Sequence, residues 1–308
     1  MMNLQSILID HFVSEVEDTY RRTYGLLKPE YANVLSWCGY QALENIANSD
    51  ALYHDMEHTM MVGLVGQEIL RGKHLIEGGV TPGDWLHCML GILFHDIGYV
   101  RGVCRADRIG VYATGIGDET VKVSTEGTDA VLTPYHVDRS KLFVRERFSE
   151  TTLVDVDAER IASCIEMTRY PIPDDEAYRD TKGFPGLTRA SDLIGQLADP
   201  GHLRKMPALF YEFEEIGANR GNGYRNPGDM RRKYARFFWD AVHPYITDAL
   251  RYLQVTQEGK QWIAVLHSHV FAVEHAGSVL ASGHWLGARP ESGTGNDGHR
   301  HAAKSHPI

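Results

Sequence analysis

Five residues of this chain carry side chains suited to acid–base or metal chemistry. His95 and Asp96 are adjacent, at the end of the apolar run Leu90-Gly91-Ile92-Leu93-Phe94. A carboxylate at the end of a buried helix is costly unless it is paired or bound to a metal. Upstream, the segment Tyr53-His54-Asp55-Met56-Glu57-His58 has two histidines four residues apart, a spacing that predicts one face of a helix. Downstream, Asp192 opens the apolar segment Asp192-Leu193-Ile194-Gly195. The set of imidazoles and carboxylates suits a divalent cation that activates water.

The elements that must position these groups read as helices. Residues 3–24 carry Leu4, Ile7, Leu8, Phe12, Val13 and Val16 at helical spacing, and residues 31–48 form a second amphipathic segment. A third helix is expected from the Tyr53-His54 region to about Leu70. Thr81-Pro82-Gly83-Asp84 predicts a helix start, with Thr81 as N-cap, and Gly98 is expected to end that helix just after His95-Asp96. Residues 99–136 break the pattern with scattered glycines and the β-branched stretch Val121-Lys122-Val123-Ser124-Thr125, which predicts a long loop or short β insertion. Helices resume around 138–148, 157–167, 188–198, 207–216, 229–254 and 257–282. One domain over residues 1–285 is expected, followed by a His- and Gly-rich disordered tail over 286–308.

The 308 residues, 43% of them hydrophobic, are enough for a sizeable core. A formal charge of −10 speaks against general nucleic-acid binding. Cys38, Cys88, Cys104 and Cys164 form no C-x-x-C pair, and three sit in apolar contexts, so buried free thiols in a cytoplasmic setting are expected. No stretch approaches the ~18 apolar residues of a membrane span, and Met1 to Ser6 lack a basic region followed by an apolar one, so a soluble, cytosolic protein is expected.

The order His58, His95-Asp96, Asp192 in a helical chain resembles the HD-domain metal-dependent phosphohydrolases. Tyr53-His54-x-x-x-His58 is similar to the signature of their cyclic-nucleotide phosphodiesterase branch, with Asp55 where that branch has Asn. His95-Asp96-Ile97-Gly98 matches a string found in many bacterial members, and Ala190-Ser191-Asp192-Leu193 is similar to the segment around their last ligand. Ile165-Glu166-Met167-Thr168 corresponds to a recurrent Ile-x-x-Thr helix. Tyr99 stands where the cyclic-dinucleotide branch has Lys, and that branch's Gly-Tyr-Pro motif is missing.

The resemblance implies an all-α HD-type bundle with a divalent metal (Mg, Mn, Fe, Zn or Ni) held by His58, His95, Asp96 and Asp192. Asp96 would bridge to a second ion if one binds, a metal-activated water would attack phosphorus, and His54 would protonate the leaving oxygen. The expected substrate is a small phosphate ester, nucleotide or cyclic nucleotide. His136, the one histidine between Asp96 and Asp192, and Arg101 and Arg139 from two basic runs are the candidate substrate or phosphate contacts. Two other readings are a diiron HD-type oxygenase, which needs more histidines in that interval, and a regulatory module that binds metal without turnover. The late cluster His267, His269 and His275 lacks a matching set of carboxylates and is expected to be structural.

Overall fold

A computed structural model describes residues 3–149 and 155–281; the proposed tail over 286–308 lies outside them. The fold is helical with one small β-hairpin, as expected. In chain order the first helices are α1 (Leu4–Tyr24), α2 (Glu30–Ile46), α3 (Met56–Glu77) and α4 (Pro82–Phe94). Next come β1 (Val111–Ala113), β2 (Thr120–Lys122), α5 (His136–Phe148), α6 (Ala158–Glu166) and α7 (Phe184–Leu197). The last are α8 (His202–Glu215), α9 (Ala218–Asn222), α10 (Pro227–Phe237), α11 (His243–Leu253) and α12 (Gln257–Ala281). The described residues up to Glu274 form one compact unit, and those from His275 to Ala281 belong to a second.

Local chemistry explains most boundaries. Thr81 and Asp84 form a reciprocal capping box at the start of α4, with Pro82 at the first helical position. Asp55 caps α3 by accepting from the His58 amide at 2.9 Å. That cap moves the helix start to Met56, so His54 precedes α3, and the expected single helical face for His54 and His58 is corrected. Gly98 is not the end signal of α4 either. The helix stops at Phe94 and passes into a 3₁₀ turn over Ile97–Tyr99. Gly98 instead lets that turn touch α5, because a Cβ there would lie 2.0 Å from the His136 carbonyl oxygen. The expected helix over 229–254 is divided into α10 and α11 by a π-helical turn over Phe238–Val242, next to Pro244, which has no N–H to donate.

Two hydrophobic cores fill the first unit. One gathers α1, α2, α4, α5 and α6 around Tyr20, Leu35, Trp85 and Phe94, and the other gathers α7, α8, α10, α11 and α12 around Ile194, Phe238 and Leu253. Helix α3 belongs to both, giving Met60 and Val62 to the first and Val65 and Ile69 to the second. All four cysteines are buried free thiols. No described helix is long and apolar enough to cross a membrane.

Candidate metal centre and its cavity

The polar residues singled out in the sequence meet at the seam between the two cores. His58 sits in the first turn of α3, Asp192 in the middle of α7, and His95-Asp96 just past the end of α4. Close packing of α3 on α7 depends on Gly195: a Cβ there would lie 2.7 Å from Val62 Cα. Val62 is one turn from His58 and Gly195 one turn from Asp192, so this backbone approach brings the two side chains together.

Ligand atoms of His58, His95 and Asp192 all lie within 4.8 Å of one another, a group that could hold a metal. His58 Nε2 is 3.4 Å from His95 Nε2 and 3.4 Å from Asp192 Oδ1. The His95 Nδ1–H donates to the Ile92 carbonyl at 2.7 Å, which leaves its Nε2 lone pair facing the cluster. Asp96 Oδ2 lies 3.2 Å from His58 Nε2 and 3.1 Å from His95 Nε2, yet it is buried with no aligned hydrogen-bond donor. A buried carboxylate oxygen without a donor, beside two imidazole nitrogens and a second carboxylate, fits a divalent cation.

The electrostatics agree. Burial disfavours charge on His58, but the facing carboxylates of Asp192 and Asp96 outweigh it and raise its pKa to about 9. Burial likewise opposes charge on His95, and the adjacent Asp96 and then Asp192 push its pKa well above the ordinary value. Without another cation, the two carboxylates favour protonation of the imidazoles.

His54 is held differently. Its Nδ1–H donates to Glu212 Oε2 at 2.6 Å, and Glu212 Oε1 accepts the Tyr53 and His54 amides at 2.6 and 3.2 Å. Burial works against an imidazolium there, but Glu212 more than compensates and raises the His54 pKa. Sequence reasoning missed Glu212. Its only signal is an acidic residue three positions after Leu209, on the face of α8 that also buries Met206.

Tyr99 is a second missed residue. Its ring stacks on His54 at 4.6 Å and on His136 at 4.4 Å, with interplanar angles of 14° and 19°. His136 donates from Nδ1 to the Thr133 carbonyl at 2.6 Å, and its Nε2 lies 3.9 Å from Asp96 Oδ1. Burial lowers the His136 pKa, so the ring presents a neutral lone pair beside the carboxylate.

The two arginines proposed as phosphate contacts are engaged elsewhere. Arg139 is fully buried, and its guanidinium donates to the carbonyls of Gly98, Val100 and Ala113 and to both oxygens of Asp107. All its donors are used in fastening the 98–113 segment to α5, so the phosphate-clamp expectation is corrected. Arg101 donates to the carbonyls of Gly127 and Thr128 and pairs with Asp129 at 3.2 Å, likewise inside the insertion. In the late cluster, His269 bonds the Leu197 carbonyl at 2.9 Å, a structural contact away from the site.

A cavity opens beside the cluster, lined at one end by His54, Asp96, Tyr99, His136 and Asp192. Residues 2–276 match the Npun_R2479-like family. The chain belongs to that family. No curated protein and no solved structure matches it. In this Npun_R2479-like chain, the matched residues take in the whole metal group and all the cavity walls.

Proposed function

We propose that the chain is a metal-dependent phosphohydrolase of the HD type that its ligand order resembles. His58, His95, Asp96 and Asp192 would hold a divalent cation, and His136 Nε2 lies 3.9 Å from Asp96 Oδ1 beside it. When bound, the cation supplies Lewis acidity and makes water nucleophilic near neutral pH.

The remaining work belongs to the chain. Glu212 keeps His54 protonated and turns it so that Nε2 can donate to a leaving oxygen in the cavity. The Tyr99 ring, clasped between His54 and His136, prevents either imidazole from swinging away. The observation that carries this reading is the mutual approach of His58, His95 and Asp192, with the orphaned Asp96 oxygen beside the two imidazoles and the Glu212-held His54 close by.

Metal analysis of the purified protein tests it, followed by a phosphoester panel with Mg, Mn, Fe, Zn and Ni. The expected result is about one tightly held ion per chain and hydrolysis that is lost in His95→Ala and Asp96→Ala. Absence of both overturns the reading. One observation favours a second reading: His136 Nε2 lies 3.9 Å from Asp96 Oδ1, an arrangement that a diiron oxygenase could use. Two irons per chain with oxygen consumption would select it.

A further inference from the structure

The cavity next to the metal group is built by three helical faces. Leu193 and Leu197 of α7, Met206 and Leu209 of α8, and Met230 and Phe237 of α10 all line it. Five of these six are buried and Phe237 is half-buried, so the wall is continuous and apolar rather than a scatter of exposed side chains.

Its arginines are not available to a polyanion. Arg169 is matched by Glu166 and Asp138, with contacts of 2.7 and 2.9 Å. Arg189 donates through its two terminal nitrogens to the Tyr178 and Asp180 carbonyls and lies 4.4 Å from the Tyr245 ring, which leaves only its buried Nε–H without a partner. No lysine lines the cavity among the described residues. A nucleoside polyphosphate would therefore leave most of its charge facing hydrocarbon, where charge is costly.

Besides Arg189 Nε, two buried polar atoms, on the α8 and α10 walls, lack partners: the Tyr234 hydroxyl and His202 Nε2, each on a residue about 2% exposed. Their rings lie 5.3 Å apart, and both residues line the cavity. They are set apart from the metal ligands by Tyr53, whose ring is 5.8 Å from that of His58 and whose hydroxyl is 3.4 Å from His202 Nδ1. Buried polar groups are normally satisfied, so an unpaired pair on a cavity wall suggests a ligand group that completes it.

We propose that the substrate is a phosphate monoester of an extended apolar alcohol, whose body lies along α7, α8 and α10 and carries a hydrogen-bonding group that reaches Tyr234 and His202. This rests on the hydrolytic reading above. In the reaction, the bond from phosphorus to the alcohol oxygen breaks and one from phosphorus to water oxygen forms. The alcohol oxygen takes a proton from His54, and the proton lost by water returns through solvent.

Binding of non-hydrolysable alkylphosphonates to the metal-loaded protein tests the proposal, read by calorimetry with adenosine monophosphate as the comparison. Affinity should rise about fourfold per added methylene until the wall is filled, as expected for ~0.8 kcal/mol per buried CH₂. Leu209→Trp should remove that dependence by filling the cavity. Tyr234→Phe, which removes only a hydroxyl, should leave simple alkylphosphonates unchanged and abolish the extra affinity of ω-hydroxylated ones. Chain-length independence, or tighter binding of adenosine monophosphate than of octylphosphonate, overturns the proposal. Length-dependent binding without turnover of the matching alkyl phosphates removes the hydrolytic reading and leaves the apolar ligand class standing.

Discussion

His54 and Glu212 are separated by 158 positions in the chain, yet the imidazole Nδ1 and the carboxylate Oε2 lie 2.6 Å apart. The same carboxylate accepts the backbone amides of Tyr53 and His54, so one buried side chain fixes both the direction and the charge of the imidazole. If His54 is the proton donor, His54→Ala should lower kcat by about 10²–10⁴, the usual worth of a general acid. Glu212→Gln should retain the amide contacts but remove the charge, moving the His54 titration to lower pH. Histidine NMR of Glu212→Gln checks this, and an unmoved His54 resonance would refute the assignment.

Proton competition at the cluster sets a second expectation. In the metal-free protein, His58 has its pKa raised from 6.5 to about 9. Its contribution to stability is thus complete below pH 6.5 and lost as the pH rises through about 9. Asp96 and Asp192 are lowered, against the effect of burial, by the neighbouring imidazoles, so their contribution is present above about pH 4 and lost in stronger acid. A cation must displace the imidazole protons. The rise in Tm on adding metal should therefore be larger at pH 8.5 than at pH 6, as measured by thermal melts with and without chelator. An equal rise at both values would show that protons and metal do not compete.

Gly195 should act on the metal without touching it. Replacing it by Ala sets a methyl against the Val62 backbone at 2.7 Å, which α7 can relieve only by moving away from α3. The expected cost in stability is about 1–3 kcal/mol, as for overpacked cores. Because Asp192 moves with α7, metal affinity should fall although every ligand is intact. Equilibrium dialysis on the folded variant measures this, and wild-type affinity would disconnect the packing from the site.

Arg139 predicts a change in stability instead of substrate binding. It pairs with Asp107 at 2.9 Å, both side chains being almost wholly buried. Arg139→Met should cost about 3–5 kcal/mol by stranding that carboxylate, as broken buried pairs do. Denaturant unfolding gives the value. A loss below ~1 kcal/mol accompanied by a raised KM would restore the phosphate-contact role.

The sequence by itself determined the helical class, most helix positions and the His and Asp residues that could hold a metal, because apolar periodicity and capping residues act over a few neighbours. Thr81 and Pro82 are read directly as a helix start, and His-Asp at the end of an apolar run signals buried polar chemistry. Even the error over His54 was local, since Asp55 followed by the His58 amide is a legible N-cap. The role of Glu212 was beyond that reach: an acidic residue on a helix reads as solvated until α8 is docked against the turn before α3. The same holds for Tyr99 between two imidazoles and for Arg139, whose partners come from the Gly98, Val100, Asp107 and Ala113 segment. Such pairings depend on which helical faces meet, and that is decided by the packing of two cores on α3 rather than by spacing along the chain.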